Sequence, residues 1–232
     1  VGRRASYADA EVSVRPLFPP WSDTLLRVSA AAVLLGGGTA IAVPMTYVRT
    51  PYGTGQGNPL VQPLKFDHRH HVRDDGIDCY YCHGDARRSP SAGVPSTELC
   101  MGCHGNLWGK SPELTLLREA HAADRPVVWQ RVNGLPHHVY FPHDVHVKKG
   151  VGCVSCHGRV DLMGQVFQAE PLTMGFCLDC HRDPGPRLRP PAEVTNMEWQ
   201  PPKDEHEARA LGEQLVRENQ VHAPVECSEC HR

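Results

Sequence analysis

Residues 141–158 read Phe-Pro-His-Asp-Val-His-Val-Lys-Lys-Gly-Val-Gly-Cys-Val-Ser-Cys-His-Gly. Within them Cys153 and Cys156 stand three apart, with His157 directly after. The same C-x-x-C-H pattern occurs at Cys79, Cys82 and His83, at Cys100, Cys103 and His104, at Cys177, Cys180 and His181, and at Cys227, Cys230 and His231; the five motifs consume all ten cysteines. Two cysteines at this spacing reach the two vinyl groups of one porphyrin, and the next residue brings its imidazole under the iron as proximal ligand. The pattern is that of covalent c-type haem attachment. Zinc and dithiol chemistry also use C-x-x-C pairs. Zinc, however, would combine the pairs two by two, which five pairs do not permit, and would not require a histidine after each.

Composition agrees with this reading. The chain has 232 residues, of which only 6% are aromatic, while glycine and proline supply 21 each. So few large apolar rings predict a core made of the porphyrins, with short α-helices and otherwise irregular chain wrapped around five c-type haems. The formal charge of −2 and a pI near 6.8 carry no footprint of nucleic acid binding.

Covalent haem attachment takes place on the outer side of a bacterial cytoplasmic membrane, so an export or anchoring segment is expected near the start. Residues 28–48, VSAAAVLLGGGTAIAVPMTYV, are uncharged and flanked by Arg27 and Arg49. At about 1.5 Å per residue such a stretch crosses a hydrocarbon core as one transmembrane helix. Arg3, Arg4, Arg15 and Arg27 precede it, which predicts an inside N-terminus and a periplasmic haem domain. Ala40-Ile41-Ala42 resembles a signal-peptidase site, but a pre-helix region of more than twenty residues favours an uncleaved, single-pass anchor. Ala32, Gly36 and Ala40 would form a small-residue face that another helix can approach.

The haem region repeats. Phe66-Asp67-His68-Arg69-His70-His71 precedes Cys79 as Phe141-Pro142-His143-Asp144-Val145-His146 precedes Cys153, and each first motif is followed by a second. Cys79, Cys153 and Cys227 are 74 residues apart each time. The expected organisation is an arm on the cytoplasmic side (1–27), the anchor (28–48), a linker (49–65), di-haem module 1 (66–140), di-haem module 2 (141–202) and a truncated third module with one haem (203–232). In the third module Val216 and Asn219 stand where upstream histidines would be. Ser111-Pro112-Glu113 reads as a helix start running to about His121, Asp204 to Asn219 as an amphipathic helix with Ala208, Leu211 and Leu215 on one face, and the proline-rich residues 184–202 as an extended loop over the surface.

A haem that only transfers electrons has both axial positions filled, whereas one that reacts with a small molecule keeps one open. Candidate distal ligands therefore bear on function. His68, His71, His143 and His146 recur in both repeats, and F-x-H-x-x-H resembles the distal-ligand motif of small tri- and tetrahaem cytochromes. By that resemblance His68 serves the haem of Cys79 and His143 that of Cys153, while His71 and His146 cross to other haems. His70, His121, His137, His138, His206 and His222 have no repeat counterpart and read as surface histidines. A methionine is then expected for the fifth iron, with Met197 first and Met174 and Met163 as alternatives.

The anchor, the motif spacing and the strings GIDCYYCHG, GVPSTELCMGCH, VYFPHDVHVKKGVGCVSCHGRVD, MGFCLDCHR and EVTNMEW resemble the ActA family, the pentahaem cytochrome c subunits of bacterial alternative complex III. The resemblance runs from about Pro63 to the C-terminus. It implies a membrane complex in which quinol is oxidised in a polytopic subunit and electrons pass an iron–sulfur protein. The pentahaem subunit then relays them toward a monohaem cytochrome c and a soluble cytochrome c, blue copper protein or terminal oxidase. It also argues against His137 and His138 as ligands, since other residue types occupy those family positions. Two competing functions are a small tetrahaem-type quinol dehydrogenase that delivers electrons to a periplasmic reductase, and a catalytic multihaem reductase. In the first the haem motif sits closer to the anchor. The second resembles this chain less, since no C-x-x-C-K occurs and no catalytic residue is called for.

Overall fold

The computed structural model describes residues 17–231. Arg3, Arg4 and Arg15, with the first part of the N-terminal arm, lie outside the described residues. The chain divides after Val48 into two compact units.

The first unit holds one helix, Trp21–Tyr47, of 27 residues, about 40 Å long at 1.5 Å per residue. It starts earlier than residue 28 because Asp23 and Arg27 pair across one turn at 2.9 Å, which lets the charged residues join the helix. Pro44 falls in its last turn, and the helix ends where Val48 N–H donates to the Pro44 carbonyl at 3.0 Å. No residue of the helix is buried within the chain. By length and composition it can cross a membrane.

The second unit is helical, and among its described residues the one β-type contact is an isolated antiparallel bridge between Val151 and Leu188. Its helices are short, and several are capped by side chains. Asp78 caps Cys79–Cys82, Ser96 caps Thr97–His104, Thr173 caps Met174–Arg182 and Asp204 caps Glu205–Glu218; each cap accepts a backbone N–H that would otherwise lack a partner. Ser111 caps a 3₁₀ turn, Pro112–Leu114, that leads into helix Thr115–Ala122. Two further short helices, His143–Lys148 and Val154–His157, carry the residues of the opening stretch.

The apolar core is thin. Among the described residues only Leu64, Ala86, Leu117, Ala120, Met163, Leu188, Val194 and Leu215 are buried hydrophobics, too few to hold a domain of this size together without a further apolar body. Residues 184–202 depart from the expectation of a surface loop. Two 3₁₀ turns, Gly185–Arg187 and Pro191–Glu193, fold the segment inward, so that Leu188, Arg189 and Val194 are buried and Val194 is the largest fully buried side chain. Gly185 meets Gly212 of helix Glu205–Glu218 so closely that a Cβ on Gly212 would lie 2.9 Å from the Gly185 carbonyl carbon and oxygen.

Candidate haem centres

Every C-x-x-C-H motif lies on a helical turn: Cys79–Cys82, Thr97–His104, Val154–His157, Met174–Arg182 and Cys227–Cys230. Helical spacing of three puts both thiols on one side of the turn, and the histidine follows at or just beyond its end. None of the ten cysteines is in a disulfide, and all are half-buried or exposed.

The motif imidazoles are held by their Nδ1 atoms. His83 Nδ1–H donates to Gly93 O at 3.2 Å, His104 to Leu107 O at 3.1 Å, His181 to Pro224 O at 2.6 Å and His231 to His138 O at 3.1 Å. His157 differs, since its Nδ1 meets the side-chain amide of Asn133 at 3.0 Å. Asn133 Oδ1 is buried without a partner; with the amide turned so that Oδ1 faces the ring, His157 Nδ1–H donates to it. In all five the Nε2 atom remains for a metal, the arrangement that fixes tautomer and ring orientation in metal-ligating histidines.

His71 and His146 are oriented alike, with Nδ1 donating to the carbonyls of Asp67 at 3.0 Å and Pro142 at 2.9 Å, four residues back. Phe66 stacks on His71 and Phe141 packs against His146, at 4.4 and 4.3 Å between centroids. The recurrent phenylalanine is thus a rest for the second histidine of each repeat. His68 Nδ1 is buried without a protein partner. Burial, with the neighbouring His83, pushes His68 down to about 4 and His157 likewise to about 4; burial also lowers His143 and His146. Neutral imidazoles offer the lone pair that an iron requires.

Two imidazoles ligating one iron from opposite faces stand about 6 Å apart centre to centre, since each metal–nitrogen bond is about 2 Å long. The structure holds three pairs at that distance. His71 and His104, His143 and His157, and His146 and His181 each have centroids 6.1 Å apart. His68 lies within electrostatic reach of His83. The thin apolar core, the ring spacing and the orphaned His68 nitrogen all fit c-type haem, with the cysteines as thioether partners and the imidazoles on the iron.

The segment that carries Met197 is fastened through its neighbours: Thr195 Oγ1 donates to Asp78 at 2.8 Å, Val194 O accepts from Cys153 N at 3.1 Å, and Glu198 pairs with Arg159 at 3.2 Å. These contacts hold it against the first and third motifs. Met163 is buried beside Gly158 of the third motif, and Met174 is an exposed residue opening the fourth motif's helix. His70 pairs with Asp74 at 3.0 Å. Asn133 escaped sequence reasoning because an asparagine 24 residues before His157 carries no local signal.

The motifs form a series. Cys82 lies within electrostatic reach of Cys100 and Cys103, Cys79 lies beside Cys153, Cys156 lies near Cys177 and Cys180, and Cys177 near Cys230. The first and third motifs also share one strip of chain: Cys79 Sγ contacts Thr195 O, and Cys153 N–H donates to Val194 O.

Comparison with known proteins agrees with this chemistry. Residues 139–232 match the model of the family described as cytochrome c7 and related cytochrome c. Over 136 residues the chain is 31% identical to the multihaem cytochrome c subunit of menaquinone reductase from Nitratidesulfovibrio vulgaris (strain Hildenborough). The match covers 58% of this chain and 58% of that protein, so the chain spans little more than half the length of its relative. Residues 139–232, with the third, fourth and fifth motifs, are thus similar to cytochrome c7-type multihaem proteins, and their C-x-x-C-H motifs are of the c-type haem kind.

Proposed function

We propose that this chain is a membrane-anchored pentahaem cytochrome c, the electron relay of a quinol-oxidising complex of the alternative complex III type. The observation that carries the reading is the unbroken series of motifs, from Cys100 and Cys103 through the first, third and fourth to Cys227 and Cys230. The ten cysteines hold the five haems. His83, His104, His157, His181 and His231 are the proximal ligands, and His68, His71, His143 and His146 fill four distal positions. Bound haem supplies reversible one-electron transfer. The protein's part is to fix ring orientation through the Nδ1 bonds, to keep imidazoles neutral by burial, and to leave those four positions closed to small molecules. Helix Trp21–Tyr47 anchors the haem region at the outer face of the bacterial cytoplasmic membrane.

Likeness to a subunit of menaquinone reductase supports a place beside the quinone pool in a multisubunit membrane complex. The partners that fit are a polytopic quinol-binding subunit, an iron–sulfur protein and a monohaem cytochrome c, with a soluble cytochrome c or blue copper protein as acceptor. A small tetrahaem-type quinol dehydrogenase serving a periplasmic reductase draws equal support from that likeness, because it too works on the quinone pool. Purification from native membranes in mild detergent, with mass spectrometry of whatever co-migrates, separates the two. The three partners named above establish the relay in alternative complex III; this chain alone, or with a soluble reductase, establishes the dehydrogenase.

A further inference from the structure

Two charged side chains are buried among the described residues, Asp161 and Arg189. Asp161 has a counter-charge, the Arg159 guanidinium at 2.6 Å. Arg189 is only 5% exposed, yet its partners are neutral. Its Nη1 donates to Asn196 O at 2.9 Å and to Glu193 O at 3.4 Å. The guanidinium lies over the Trp199 ring at 4.9 Å, and its Nε is buried without a partner. An arginine keeps its charge at any working pH. A cation withdrawn from water with no carboxylate against it weighs against folding, so its place in this fold calls for a function.

That place is the junction of the first and third motifs. Arg189 N–H donates to Gly150 O at 2.9 Å, next to the bridge between Val151 and Leu188. Gly152, directly before Cys153, makes room for the side chain, since a Cβ there would collide with the guanidinium. The strip of chain that Arg189 holds through Asn196 O also reaches both motifs. Val194 O accepts from Cys153 N at 3.1 Å, and Thr195 O lies 4.0 Å from Cys79 Sγ. Two carboxylates are close by. Asp78 accepts from Thr195 Oγ1 and from Tyr80 N–H, both at 2.8 Å, and Glu193 accepts from Asn196 Nδ2 at 2.7 Å. Asp78 is exposed and Glu193 half-buried, so water attenuates their fields, whereas the field of the buried guanidinium is attenuated much less. The net effect at Cys79 and Cys153 is that of a positive charge.

We propose that Arg189 is a positioning residue for the electron: a buried cation that raises together the potentials of the two haems attached at Cys79 and Cys153. Each iron takes up one electron in passing from ferric to ferrous, and a fixed positive charge beside the attachment edge of both favours the reduced form. No proton moves with that electron, because the guanidinium is charged before and after. The first and third motifs stand in the middle of the series, so the cation sets the level of the central pair against both ends. The proposal rests on the five-haem reading.

The test uses the full-length holoprotein in detergent. Intact mass and the pyridine haemochrome give the haem count, and a redox titration followed in the visible bands resolves the components. Arg189→Gln should leave the haem count unchanged and lower two components, with the others unmoved. The expected loss in ferrous over ferric preference is roughly tenfold, or about 59 mV for a one-electron couple. The shift should be the same at low and high salt, because a buried charge is poorly screened. Arg189→Met, which removes the cost of burying a cation, guards against misfolding and should show the same two shifts. Arg189→Lys keeps the charge and should keep both potentials. Unchanged potentials in the neutral variants, a drop in Arg189→Lys as large as in Arg189→Gln, or a uniform shift of every component overturns the electrostatic role. Fewer than five haems in the unaltered protein overturns the reading beneath it.

Discussion

The rings of His143 and His157 stand 6.1 Å apart and are inclined by only 16°, one opening helix His143–Lys148 and the other closing helix Val154–His157. That spacing is the one a single iron between the two rings would need. His146, on the same short helix, lies 6.1 Å from His181, so one helix faces two motif histidines. His143→Ala and His146→Ala should each leave one iron five-coordinate while the thioether bonds keep the haem. Carbon monoxide is expected to bind one haem's equivalent in each variant and two in the double variant, with intact mass unchanged apart from the substitutions. Absence of binding in either single variant would remove that histidine from the ligand set.

Asn133 is a sharper probe, because His157 is the one motif histidine whose Nδ1 is held by a side chain. An acceptor on Nδ1 raises the basicity of the ligating nitrogen and favours ferric iron. Asn133→Leu should therefore raise the potential of one haem and leave four unchanged, by about 59 mV for each tenfold change in relative ferric and ferrous affinity. Redox titration followed in the visible bands checks this; a uniform shift of all components would mean a general structural effect instead.

The close approach of Gly212 to Gly185 predicts a stability effect far from any ligand. A methyl group on Gly212 meets backbone at 2.9 Å, and backbone cannot step aside as a flexible side chain does. Gly212→Ala is expected to cost about 1–3 kcal/mol by overpacking, despite the helix propensity that alanine adds. Thermal unfolding of the holoprotein should show the loss. Asp204→Ala, which removes the Asp204 cap on Glu207 N–H at 2.9 Å, should cost about 0.5–2 kcal/mol on the same helix.

These cases mark where local pattern sufficed and where it did not. Helix Glu205–Glu218 and the cap at Ser111 were legible because cap chemistry and apolar spacing are written within a few residues. The burial of Arg189 was not. Its guanidinium lies over the Trp199 ring at 4.9 Å and donates to Asn196 O at 2.9 Å, contacts that need the two 3₁₀ turns and the bridge from Leu188 to Val151. Proline density signalled a loop, and only tertiary contact turned that loop inward. The pairing of His71, His143 and His146 with motif histidines followed the repeat, while the third module lacks the residues that would announce a partner for His231.

The apolar helix Trp21–Tyr47 carries the last prediction. Its large side chains face outward along its whole length, among them Leu25, Leu34, Leu35 and Ile41, an arrangement that water would penalise and a bilayer would not. If the helix is an anchor, haem-stained protein should stay with native membranes through an alkaline carbonate wash and leave only with detergent. Protease added to the outside of spheroplasts should then release haem-bearing fragments that begin beyond Val48. Release by carbonate alone would mean that the helix is absent from the mature protein, and that the haem region is held at the membrane by its partners.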